Sequence, residues 1–192
     1  MKNIAVFASG SGSGLQAIID ASVAGVINVR ICLVISNNSK SIALERARKA
    51  GIPAYHLSAK TEGDDLMLER SILATLTKHN ADAIFLAGYL KKVGTSILHT
   101  YKNNIYNIHP SMLPKYGGHG MYGINVHRAV IAAGEVSTGI TIHRVDPEYD
   151  TGEIIAQRTV EVKPDDTAES LAARVLAEEH VFLVQVLGSI FR

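Results

Sequence analysis

Ile4-Ala5-Val6-Phe7-Ala8, then Ser9-Gly10-Ser11-Gly12-Ser13-Gly14, then the stretch opened by Leu15: this run decides the fold. Five apolar residues read as a strand, and six small ones as a tight loop. Leu15, Ile18 and Ile19 then recur on one face of a helix expected over residues 15–24. The alternation continues downstream. Residues 29–35 read as a second strand. Ser41 is placed to cap a helix ending at Ala50, closed by Gly51 and followed by Pro53. A short third strand is expected over 54–57. Leu66, Leu73 and Leu76 mark a helix over 66–79, and 83–87 is a fourth strand. A short helix over 97–101 precedes a fifth strand, 105–108, stopped by His109-Pro110. A helix over 126–133 ends at Gly134. Two Ile-, Val- and Thr-rich strands, 139–145 and 154–162, follow with only a turn between them, and a long helix over 167–190 closes the pattern.

Strand–helix alternation over the first two-thirds implies a doubly wound α/β fold with a mostly parallel, Rossmann-like sheet. The helix-free connection 146–152 implies an antiparallel addition near the C-terminal part. The 192 residues fit a single domain spanning 1–192, with no repeat, linker or low-complexity tract. Hydrophobic residues are 47% and charged residues 19%, enough apolar content for a substantial core. A formal charge of +1 argues against a nucleic-acid partner, and no stretch is long and apolar enough for a membrane span. The one cysteine, Cys32, lies in an apolar run and reads as a core residue. With no leader pattern at the N-terminus, the expected location is a reducing cytoplasm.

Ligands in open α/β sheets sit beyond the carboxyl ends of the strands. After the first strand, Ser11, Gly12, Ser13 and Gly14 bring backbone amides and hydroxyls to a helix N-terminus, which suits a phosphate. The pattern is neither a Walker A nor a dinucleotide fingerprint. After the fifth strand comes Asn107-Ile108-His109-Pro110-Ser111-Met112-Leu113-Pro114. In extended chain, residues two apart share a face, so Asn107 and His109 point together. An amide donor beside an imidazole suits an oxyanion and a proton transfer. Asp150, in Tyr149-Asp150-Thr151-Gly152, offers a carboxylate on a tight turn, of interest if it reaches His109. Glu178-Glu179-His180 reads by itself as a solvated patch. The eight histidines have no metal-ligand spacing, so no metal is expected.

Taken in order, the Ser9–Gly14 loop, Ala87-Gly88-Tyr89, the Asn107–Pro114 segment with Lys115-Tyr116, Gly139-Ile140-Thr141-Ile142-His143 and Tyr149–Gly152 resemble the glycinamide ribonucleotide formyltransferase family. The resemblance runs from Asn3 to about Glu179. It implies 10-formyltetrahydrofolate as co-substrate and glycinamide ribonucleotide as acceptor, in purine biosynthesis. It implies catalytic roles for Asn107, His109 and Asp150, with His109 protonated to hold the oxyanion and Asp150 favouring that charge. It implies substrate contacts from Ser11, Gly12, Ser13, Gly14 and Glu179. Folate contacts are implied for Leu90, Lys91, Lys92 and Val93 through their backbone, and for Asn107, Asp146 and Asp150. Gly14 stands where the family commonly has asparagine, Asp65 where some members have arginine, and Arg144 where an apolar residue is commoner.

Two alternatives remain open at this point. One is another folate-dependent formyltransferase or a formyltetrahydrofolate deformylase, which the family pattern associates with additional domains that 192 residues leave no room for. The other is a non-catalytic nucleotide-binding module, which has no need of Asn107, His109 and Asp150 together.

Overall fold

The computed structural model describes residues 1–192. In chain order the elements are β1 (Lys2–Phe7), α1 (Ser13–Val23), β2 (Val29–Ser36), α2 (Ile42–Lys49), β3 (Ala54–His56), α3 (Ala59–Glu62) and α4 (Asp65–Lys78). There follow β4 (Ala83–Leu86), α5 (Thr95–Thr100), β5 (Ile105–His109), α6 (Ile124–Ala132), β6 (Ser137–Arg144), β7 (Ile154–Glu161) and α7 (Ala168–Ile190). All seven strands join one sheet, ordered β3-β2-β1-β4-β5-β6-β7. The first five are parallel to their neighbours; β6 runs antiparallel to β5, and β7 antiparallel to β6. The fold is the doubly wound α/β architecture with the antiparallel addition that the sequence implies.

The unbroken apolar reading of β1 has a direct cause: the strand is buried on both faces. Ile4, Val6 and Ala8 point into a 29-residue cluster with α1 and α7, while Ala5 and Phe7 point into a 13-residue cluster with α4 and α5. β4 and β5 divide the same way, Phe85 and Tyr106 to one side, Ile84 and Ile105 to the other. By parity, Asn107 and His109 lie on the Ile105 face at the end of β5. Each fully buried Leu, Ile or Phe contributes roughly 1.5–3 kcal/mol, so this double layer is a main source of the sheet's stability.

Three local expectations are corrected. Ser41 precedes α2, but its hydroxyl makes no cap bond; it donates to the Gly10 carbonyl instead. The helix α3 went unread because its four residues carry no periodic apolar face; a Ser58–Thr61 capping box defines it. Strand β5 continues through His109, so Pro110 ends the strand one residue later than expected. The strand order reverses between β1 and β4, and the loops after these two strands flank one crevice.

Candidate active site

The loop after β1 sorts its backbone polarity. The Ser9 carbonyl accepts from Asn38 Nδ2, that of Gly10 from Ser41 Oγ and the Ala43 amide, and that of Ser11 from Arg46 Nε. The Gly12 carbonyl accepts from the Gln16 amide. By contrast, the amides of Gly10, Ser11, Gly12, Ser13, Gly14 and Leu15 donate to no protein group. Six unspent donors at the N-terminus of the 11-residue α1 form an anion nest, reinforced by the helix dipole. Gly12 makes this possible with a left-handed φ of 67°, and a Cβ there would lie 2.7 Å from Ala43 Cα and Cβ.

At the end of β5, four polar side chains converge. Antiparallel pairing sets Asn107 opposite His143 and His109 opposite Thr141. The Asp150 carboxylate reaches both columns: Oδ2 is 3.5 Å from His109 Nδ1, and Oδ1 is 3.5 Å from His143 Nε2 and from Asn107 Nδ2. Asp150 and Tyr116 both adopt left-handed φ, 58° and 57°, a strained conformation that aims one carboxylate and one carbonyl at the cluster. The Gly118 amide donates to Asp150 Oδ2 at 2.9 Å.

Hydrogen-bond logic fixes the tautomers. A carbonyl only accepts, so His109 Nε2, 2.8 Å from the Tyr116 oxygen, carries a hydrogen. Its Nδ1 is therefore the exchangeable position and faces Asp150. His143 Nδ1 donates to the Arg144 carbonyl at 2.8 Å, leaving Nε2 to accept from Asn107 Nδ2 at 3.1 Å. That bond sets which end of the Asn107 amide faces the cluster. The second Asn107 N–H meets Asp150 at the long limit of a hydrogen bond and is loosely held.

Burial pushes the Asp150 carboxyl up, but His143, His109 and the Gly118 amide together more than offset it, and its pKa lies below the ordinary value. His109 behaves differently from expectation. Burial lowers its pKa, and the opposing effects of Asp150 and the Tyr116 carbonyl are too small to reverse this. The imidazole rests below its ordinary 6.5 and is neutral at pH 7, not protonated.

The other expected contacts fall at several separate places. A cavity of about 1310 Å³ is walled by Phe7, Ile72, Val93 and Leu98 and rimmed by Lys91 and Lys92. It ends against Pro147–Tyr149, beside Asp150; Asn107, His109 and Asp150 are not in its lining. Leu90 is also outside the lining, and its amide is spent on Ser9 Oγ at 2.8 Å, so of its two backbone groups the carbonyl remains for a ligand. Asp146 turns its carboxylate onto Thr151 and the Glu148 amide and so organises its own loop. Asp65 lines the cavity. Glu179 lies on α7 one turn before Leu183, whose side chain is 3.6 Å from where a Gly14 Cβ would be, so it shares the stripe that packs on the nest. Its carboxyl has no hydrogen-bond partner, and burial raises its pKa to about 7.

Sequence reasoning missed His143, Tyr116 and Gly118 as parts of the cluster. The available signal was parity: in β6, Ile140 and Ile142 are core residues, and Thr141 and His143 fall on the opposite face. No group of three or more His, Cys, Asp or Glu is placed to hold a metal ion, and no helix is long and apolar enough to cross a membrane.

A double-sided sheet, an anion nest after β1 and an Asn–His–Asp cluster after β5 define a class, and the formyl transferase family model matches residues 2–187: the chain belongs to that family. It is 42% identical over 98% of its length to the chloroplastic phosphoribosylglycinamide formyltransferase of Vigna unguiculata, and 42% identical over 98% to that of Arabidopsis thaliana. The chain covers 61% and 65% of those two relatives, so it spans under two-thirds of their length. The crystal structure of glycinamide ribonucleotide transformylase 1 from Geobacillus kaustophilus superposes with a TM-score of 0.93 at 37% identity, each chain covered in full.

Proposed function

We propose that this chain transfers the formyl group of 10-formyltetrahydrofolate to the amine of glycinamide ribonucleotide in de novo purine biosynthesis. The observation that carries the reading is a pair of polar sites beyond the carboxyl ends of β1 and β5, the two parallel strands that flank β4: a nest of unspent amides for a phosphate, and the Asn107–His109–Asp150 cluster for acyl transfer. The cavity beside the cluster has the size and apolar wall for an aromatic folate, with Lys91 and Lys92 at its rim. The folate supplies an activated formyl carbon.

In this reading the loosely held Asn107 N–H turns to the formyl oxygen as the incoming C–N bond pushes negative charge onto it. His109, neutral at rest, accepts the proton of the attacking amine at Nδ1. The imidazolium so formed faces Asp150, whose carboxylate stays ionised. The favourable charge pair thus exists in the transition state and not before it, which is the arrangement that lowers a barrier. His109 can then return the proton to the leaving folate nitrogen. We read residues 1–192 as one domain, a reading supported by one continuous sheet, and the cytoplasm as its location, a reading that the buried, unpaired Cys32 thiol fits.

Turnover followed through the folate product, with and without the amine, tests the proposal. Product formation that does not need the amine indicates a deformylase and refutes it.

Two further results are expected. Gly12→Val drives a branched side chain into Ala43 and forbids the left-handed turn, so the substrate's KM rises at least about ten-fold while folate binding is kept. Loss of folate affinity with substrate affinity intact would mean the two half-sites are reversed. Glu179→Gln trades stability for binding. With its pKa raised, the Glu179 carboxyl contributes most to stability below its ordinary 4.5, and that contribution is lost as pH rises through about 7. The glutamine variant therefore melts higher than the parent at pH 8, by more than at pH 5.5, and has a raised substrate KM. A melting difference independent of pH contradicts this assignment.

A further inference from the structure

The nest points its donors outward because something holds its acceptors inward. A trans peptide carries its C=O and the next N–H on opposite edges of one plane, so fixing the oxygen aims the hydrogen. The Gly10 oxygen, held by Ser41 and Ala43, aims the Ser11 amide; the Gly12 oxygen, held by the Gln16 amide, aims the Ser13 amide. The peptide between Ser11 and Gly12 is the middle one. Its oxygen is held by one side chain, Arg46, whose Nε donates at 2.9 Å. A second guanidinium nitrogen donates to Gln16 Oε1 at 3.1 Å, and Gln16 in turn donates to Asp20, so the Arg46 fork is fixed at two points. Gly12 has no side chain to resist a peptide flip, and a flipped Ser11 carbonyl would face the anion.

Resting on the phosphate reading above, we infer that Arg46 is a positioning residue for the phosphate end of the substrate. It makes the enzyme select a phosphorylated amine over an unphosphorylated one by keeping the Gly12 amide turned outward. Arg46 has no hydrogen bond to Asn107, His109, His143 or Asp150, and it acts from α2, outside the folate cavity. Its loss therefore separates phosphate recognition from chemistry.

Arg46→Met keeps the aliphatic stem and removes the donors. A charged hydrogen bond is worth enough that ribose 5-phosphate, titrated calorimetrically, should bind about ten-fold or more weakly to this variant. The KM for glycinamide ribonucleotide should rise by a similar factor. The KM for the same amine lacking phosphate, the dissociation constant for tetrahydrofolate and kcat should each stay within about two-fold. Arg46→Lys keeps the charge but cannot span Ser11 and Gln16 together, and should recover part of the loss. A purely structural role predicts a lower melting temperature with all ligands affected alike, or with none affected; either pattern overturns the inference. If the parent enzyme itself shows no preference for the phosphorylated amine, the reading of the loop fails and the inference goes with it. If the parent shows that preference and Arg46→Met keeps it, only the inference fails.

Discussion

Asp150→Asn should leave both substrates bound and lower kcat by about a hundred-fold or more. The substitution keeps the size of the side chain and removes its charge. In the resting enzyme that charge does little, because burial already keeps His109 neutral and Asp150 only partly opposes it. Its effect comes when His109 takes up a proton, since Nδ1 then gains a partner 3.5 Å away in a site from which water is largely excluded. The pH dependence gives the sign. Asp150 raises the His109 pKa, so its removal lowers that pKa further below 6.5, and the acid limb of the kcat/KM profile should move to lower pH. NMR titration of His109 should show the same direction. An unchanged His109 titration with near-normal turnover would reduce Asp150 to a turn residue.

The second large effect is non-additivity. His109→Ala and Asn107→Ala should each cost about a hundred- to a thousand-fold in kcat, the range for losing a general base or one oxyanion donor. The double variant should be only slightly worse than the poorer single one. Both side chains meet the same carboxylate, and Asn107 is oriented by His143 in the same cluster, so removing either disorders the other's setting. Full multiplicative loss in the double variant would mean that the two act independently.

The fold was legible because β1 and β4 are apolar on both faces, and Gly51 and Gly134 mark the turns that follow α2 and α6. The parity of Asn107 and His109 was equally readable from two-residue spacing in an extended segment. The arrival of Asp150 was not: it comes from a loop after β6, and only the β5–β6 register and the strained turn at Asp150 bring it in. The His109 charge state was misread for a physical reason. Sequence names the carboxylate neighbour but not the depth of burial, and here burial is the larger effect. That the Leu90 amide is spent was not readable, because its partner, Ser9, lies far away along the chain. Arg46 gave no signal at all, being one of three basic residues on a short surface helix.

In the proposed reaction the formyl group moves from folate to the amine of a phosphorylated glycinamide. This transfer is tested most directly by supplying 10-formyltetrahydrofolate labelled with ¹³C in the formyl carbon, together with glycinamide ribonucleotide, and following the label by NMR. The label should appear as a formamide on the ribonucleotide, with one tetrahydrofolate formed per formamide. Label released as free formate at the same rate with or without the amine would contradict it.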